Sequence, residues 1–131
     1  MQGKQDIEAL IQLTFDIGMT IHQDVGPGLI ESVYERVLAD RLQQLGVKVD
    51  RQKPVHVDIY GKRYDDAFRY DLLLDEILLV EIKSIEKLGP IHSKQVLTYI
   101  RLMNLRYGLL LNFGSEVFRQ GMRRIVNDRH G

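Results

Sequence analysis

The chain contains no cysteine, which excludes a disulfide framework, thiolate zinc sites and cysteine nucleophiles. It also lacks an excess of either charge: 18 Lys plus Arg stand against 18 Asp plus Glu. A protein that coats nucleic acid draws most of its nonspecific affinity from neutralised phosphates and carries a basic surplus. Any contact with a polyanion here therefore needs a local patch or a metal ion. No apolar run reaches the length of a membrane span, the longest being strand-sized pieces such as 77–80 and 108–111. The opening MQGKQDIEAL has acidic residues where an export signal has its apolar region, so a cytoplasmic location without membrane association is expected. Internal repeats and low-complexity segments are missing as well.

What remains is an ordinary soluble composition, 44% hydrophobic and 27% charged over 131 residues. That is enough for one domain spanning 1–131 and too apolar, with too little net charge, for disorder.

Periodicity orders the chain. Ile7, Leu10, Ile11, Thr14, Phe15, Gly18 and Ile21 or His22 recur at helical spacing behind Asp6, a natural cap. Gly26-Pro27-Gly28 breaks that helix. A second helix carries Leu29, Val33, Val37, Leu38, Leu42 and Leu45 as its stripe and stops before Gly46. Val55, Val57 and Ile59 then alternate with polar neighbours as in a half-buried strand. Residues 64–74 hold the next strand, and 77–82 hold a third, apolar almost throughout and so covered on both faces. Gly89-Pro90 ends that region. Residues 93–104 fit a helix with Val96, Leu97, Ile100 and Met103 buried, and 107–113 fit a strand. The 115–128 tail is either helix or short strand. The expectation is a central mixed sheet of four to five strands flanked by helices, in the order α-α-β-β-β-α-β.

Within the third strand Glu81 and Lys83 are two apart, so their side chains leave the same face. A carboxylate and an ammonium in an apolar strand cost several kcal/mol each unless paired or metal-bound. The pair is either a partly exposed salt bridge at the strand end or an active site. Asp71 bears on that choice. If the intervening hairpin is centred on Glu76, with an odd loop of about three residues, Asp71 stands opposite Glu81 on one face. A two-residue turn on Asp75-Glu76 would instead set Asp71 against Val80 and aim it at the other layer. Two facing carboxylates bind one oxygen-seeking divalent cation such as Mg2+ or Mn2+. Lys83 beside them suits the water and the charge of a phosphodiester under attack.

Asp71, nine intervening residues and Glu81-Ile82-Lys83 resemble the PD-(D/E)XK nuclease superfamily signature, with Tyr70 standing where the motif has proline. GPGLIESVYE, residues 26–35, resembles the motif of the GxxExxY protein family, with Gly28, Glu31 and Tyr34 as its fixed residues. The likeness continues through RYDLLLDEILLVEIKSIEKL, HSKQVLTYIRL, GLLLNFG and GMRRIV, over nearly the whole chain. It implies a restriction-endonuclease-like core and a Mg2+- or Mn2+-dependent nuclease acting on DNA or RNA. Asp71, Glu81 and Lys83 would take the metal and water roles, Glu31 would join the metal site, and Gln95 would lie near it.

The residues themselves add detail. Three-residue spacing puts Gly28, Glu31 and Tyr34 on one helical face, where glycine admits another backbone. Glu31 read alone is a first-turn acid favoured by the helix dipole. Gln95 and Tyr99 share a face beside the apolar stripe of their helix and read equally as its polar flank. His22 and His92 are isolated, and His92 caps its helix or faces solvent. Arg119, Arg123, Arg124 and Arg129, with Lys87 and Lys94, form either a local basic patch or a solvated face. The rival to a nuclease is a non-catalytic nucleic-acid-binding or protein-interaction module on the same scaffold. A homodimer would present two sites to a duplex.

Overall fold

The structure is a computed structural model describing residues 6–129; the first five residues of the N-terminal segment lie outside it. Helix α1 (Ile7–Val25) is capped by the Asp6 carboxylate, which accepts the N–H groups of Glu8 at 3.0 Å and Ala9 at 3.4 Å. Helix α2 spans Glu31–Gln44. Its buried face is Tyr34, Glu35, Leu38, Ala39 and Leu42, whereas Leu29, Val37 and Leu45 of the expected stripe are exposed. The helix starts at Glu31, so Leu29 lies in the loop before it. The inward row is then set by Tyr34, whose ring stacks on Phe113 with centroids 4.5 Å apart.

Strands β1 (Val49–Arg51), β4 (Leu72–Leu74), β5 (Leu78–Lys83), β6 (Tyr107–Asn112) and β7 (Met122–Val126) form a five-stranded sheet in that spatial order. β5 and β6 run parallel, and the other neighbours are antiparallel. Helix α3 (Pro90–Leu102) makes the crossover between the parallel pair. Pro90 opens that helix, and His92 caps it by accepting the Gly89 N–H at Nδ1, 2.9 Å away. Leu78, Val80 and Ile82 of β5 face the core built with α1 and α2, while Leu79 faces Val96, Ile100 and Leu110. β5 is the covered central strand that its composition demands. Among the described residues, no helix is long and apolar enough to cross a membrane.

Two elements differ from the expectation, and the tail, expected as helix or short strand, ends in a short strand. β1 has three residues, too few to show a period. The stretch 64–74 is not one strand: β3 (Lys62–Arg69) pairs with β2 (Pro54–Ile59) in a separate two-stranded ribbon, and β4 begins after a break at Tyr70-Asp71. The tail forms a 3-10 turn at Phe118–Gly121 and then β7.

Candidate active site

The β4–β5 register decides the site. Leu72 pairs with Val80 and Leu74 with Leu78, so the loop is 75–77 and is centred on Glu76. Asp75 and Glu76 both take left-handed φ, 49° and 61°. The Asp75 carboxylate accepts the Lys48 N–H at 2.9 Å, pinning the turn to the chain before β1. One step beyond Leu72↔Val80, Asp71 stands beside Glu81. The two are cross-linked: Glu81 Oε2 accepts the Asp71 N–H at 2.8 Å, and Asp71 Oδ2 accepts the Ile82 N–H at 2.7 Å.

Glu81 is 5% exposed. Burial, and then the negative charge of Asp71, push its carboxyl up to about 8, against the weaker pull of the Asp71 N–H and the Lys83 charge. Lys83 is half-buried, two residues along the same strand face and opposite Asn112 of β6. Asn112 is buried and fully bonded. Its oxygen accepts Ile85 N–H and Gly114 N–H, and its nitrogen donates to Ile85 O and Ser115 Oγ. The chain just past Lys83 is thereby fixed to the end of β6. Gly114 is required for this approach, since a Cβ there would lie 2.2 Å from the Ile85 carbonyl oxygen.

A third acid reaches Asp71, and it is Glu35. Its buried carboxylate accepts from Arg51 Nη2 at 2.9 Å and from Gln52 Nε2 at 2.7 Å. The same Gln52 nitrogen donates to Asp71 Oδ1 at 3.1 Å, and the Gln52 N–H donates to the Asp71 carbonyl at 3.0 Å. Gln52 holds this position with φ 53°, a strained value for its residue type. Burial raises the Glu35 carboxyl, the bonds from Gln52 and Arg51 lower it, and the Asp71 charge raises it further. Glu35 and Gln52 had not been singled out from the sequence. Glu35 directly follows Tyr34 in the quoted GPGLIESVYE run, but Gln52 gives no sequence signal.

The other expected residues are placed as follows. Glu31 is exposed, and its carboxylate accepts the Ser84 N–H at 3.3 Å, just beyond Lys83. It lines an open groove of about 810 Å³ formed by 27–32, 84–86 and Gly114. Gly28 precedes α2 rather than lying on its face, and a Cβ there would meet open space. Its φ of 117° is the reason for glycine. Tyr34 is buried and holds the same loop, donating from its hydroxyl to Gly26 O at 2.5 Å and accepting the Leu29 N–H at 3.1 Å. Tyr99 stacks on Phe68 at 3.9 Å, and its hydroxyl is raised by burial and by the charges of Glu81 and Asp71. Gln95 lies one turn earlier on that face and is exposed. His22 is structural, with Nε2 2.7 Å from the Ser115 carbonyl. The arginines make internal contacts. Arg124 forms a double hydrogen bond to Glu8, and Arg123 donates to Gln120 O and Met122 O. Arg119 lies over the Phe15 ring.

Among the described residues, no three His, Cys, Asp or Glu side chains stand close enough together to hold a metal ion. The facing carboxylates of Asp71 and Glu81 nonetheless form an all-oxygen donor pair of the type magnesium and manganese take. The raised Glu81 carboxyl reflects burial first and then the charge of Asp71, a repulsion that such a cation would offset.

A mixed five-stranded sheet between helices, with paired acids and a lysine where a central strand leaves the core, defines a restriction-endonuclease-like fold. The chain matches the PD-(D/E)XK nuclease superfamily over residues 8–125 and belongs to it. No curated protein matches the chain. Among solved structures it is similar to the crystal structure of SSO0001, with a TM-score of 0.54 and 20% identity, a likeness of fold. The match covers 73% of this chain and 50% of that one, so this chain spans about half the length of that structure.

Proposed function

We propose that the protein is a metal-dependent nuclease of the GxxExxY type that hydrolyses phosphodiester bonds of DNA or RNA. The observation that carries this reading is the β4–β5 register, which sets Asp71 beside Glu81 with Lys83 on the same face of β5. Asp71 and Glu81 would hold Mg2+ or Mn2+, which when bound polarises a phosphoryl oxygen and lowers the pKa of a water. Lys83 donates hydrogen bonds to the attacking water and to the phosphate oxygens, and the β5–β6 ladder, where it pairs with Asn112, fixes its origin. Glu35 and Gln52 orient Asp71. Glu31, bonded to the Ser84 N–H, would approach from the α2 side, and Gln95 and Tyr99 would do so from α3, where the Tyr99 hydroxyl feels the charges of both acids. Gly28 and Tyr34 support the loop that carries Glu31.

The test is cleavage of labelled DNA and RNA by purified protein with Mg2+ or Mn2+. Cleavage is expected and should be lost in Asp71→Asn, Glu81→Gln and Lys83→Ala. Activity that survives all three substitutions would belong to a contaminant and overturn the reading. One observation favours the non-catalytic alternative: Asp71 and Glu81 already have backbone and amide partners. A thermal shift with Mn2+ that vanishes in Asp71→Asn supports the enzyme, and no shift supports the binding module.

A further inference from the structure

We infer that the β2–β3 ribbon is a platform for an unpaired nucleic-acid strand, stacking its bases and leading it to Asp71 and Glu81. The inference rests on the nuclease reading and names its substrate form. The ribbon is no part of the five-stranded sheet, and a two-stranded hairpin is marginal alone. Its base is nevertheless at the site: Gln52 precedes it, Asp71 follows it, and the Gln52 N–H to Asp71 O bond closes it.

Its two faces differ in chemistry. Val55 pairs with Phe68 and, past an irregularity of β3 that includes Asp66 with φ 53°, Val57 pairs with Tyr64 and Ile59 with Lys62, so these six paired residues share one face. Asp58 pairs with Arg63 on the other face, where Arg63 also bonds Asp65 at 2.7 Å. The only charge among the paired positions of the first face is positive. That face begins with Phe68 stacked on Tyr99, whose hydroxyl is raised by burial and then by the charges of Glu81 and Asp71. It continues to Tyr64, 45% exposed, and to Lys62, whose ammonium sits 5.3 Å from the Tyr64 ring centroid. Counted along β2, where these positions are two residues apart, the row of rings and one cation runs about 13 Å outward. At the tip Tyr60 is fully exposed and left-handed, with φ 53°.

Rings of this kind bind the faces of bases, which a duplex keeps stacked on one another. Duplex tracking depends instead on cations along the phosphates, and this chain has no basic surplus and one lysine on this face. An unpaired strand is the partner that fits.

The experiment measures binding without cleavage, by fluorescence anisotropy of the full chain in Ca2+. The probes are a labelled oligothymidine and a blunt duplex with as many phosphates. The oligothymidine should bind more tightly. Tyr64→Ala should weaken it about tenfold or more, as for loss of one stacked base, and Tyr64→Phe should retain binding. Tighter binding of the duplex, or Tyr64→Ala binding like the parent, overturns the inference. So does a Tyr64→Ala change in sedimentation mass without a change in binding, which would assign the face to a second copy. The two readings separate cleanly. Loss of single-strand binding in Tyr64→Ala by a protein that cuts nothing supports the platform and removes the nuclease. Cleavage sensitive to Glu81→Gln, with no single-strand preference, keeps the nuclease and removes the platform.

Discussion

Glu81 and Asp71 each hold the other's strand: the Glu81 carboxylate accepts Asp71 N–H at 2.8 Å while the Asp71 carboxylate accepts Ile82 N–H at 2.7 Å. Two acids thus share a small, mostly buried volume, and burial together with their repulsion raises the Glu81 carboxyl. A buried acid pair of this kind lowers stability and is the arrangement found where groups are tuned for chemistry.

The first prediction follows from that raised carboxyl. The Glu81 carboxyl titrates at about 8 in the fold against an ordinary 4.5. The folded state therefore holds its proton more tightly than the unfolded chain does. The associated stability is complete below about pH 4.5 and is lost as pH rises toward 8. In chelator, the melting temperature should fall between pH 5 and 8.5. Glu81→Gln should flatten this fall and melt higher at pH 8, by on the order of 1–3 kcal/mol. An unchanged slope in Glu81→Gln would place the pH response elsewhere.

Gln52 offers a separation of backbone from side chain. Its φ of 53° suits glycine, so Gln52→Gly should be more stable than Gln52→Ala by about 1 kcal/mol. Both should weaken the Mn2+ thermal shift, because each removes the amide that spans Glu35 and Asp71. Urea melts of the two variants, with and without Mn2+, check both parts.

Arg51→Ala should destabilise by about 1–3 kcal/mol, because the buried Glu35 loses its ionic partner and keeps only Gln52. The loss is moderated by the 38% exposure of the Arg51 side chain. Arg51→Ala combined with Glu35→Gln should recover part of it. A double-mutant cycle in chemical denaturation reads the coupling directly.

Gly114→Ala should be among the most damaging small substitutions, since its methyl group would meet the Ile85 carbonyl at 2.2 Å. Loss of about 2 kcal/mol or more is expected. The change should appear as faster hydrogen exchange in residues 84–86 and 112–115.

Tyr34→Phe keeps the stack on Phe113 and removes only the hydroxyl that ties Gly26 O to Leu29 N–H. It should cost about 1 kcal/mol and speed exchange at the Leu29 amide, with the α2 core intact. Tyr34→Ala should cost about 3–5 kcal/mol as a core cavity.

The acids of the central strand were legible because charges inside an apolar strand violate the pattern around them. The odd loop at 75–77 was the one geometric condition that joined them to Asp71, and parity alone supplied it. Glu35 was hidden for the opposite reason. A helix stripe is read from apolar residues, and a buried acid among them looks like the polar flank until Arg51 and Gln52 arrive from a distant strand. The ribbon was equally invisible. Nothing at Tyr70-Asp71 punctuates the run 64–74, and the break comes from pairing: β3 follows β2, whereas β4 follows β1 and β5.

Because β1 and β4 are paired neighbours and Gln52 is bonded to Asp71, the main sheet experiences residues 53–70 as a single closed turn. Beyond Val57 and the Phe68 ring stacked on Tyr99, the ribbon can lengthen, shorten or change its surface without disturbing a register of the main sheet. On the proposed reading, the surface that would grip a strand and the acids that would cut it are separately inheritable, and new preferences can evolve by exchanging one appendage on an unaltered frame.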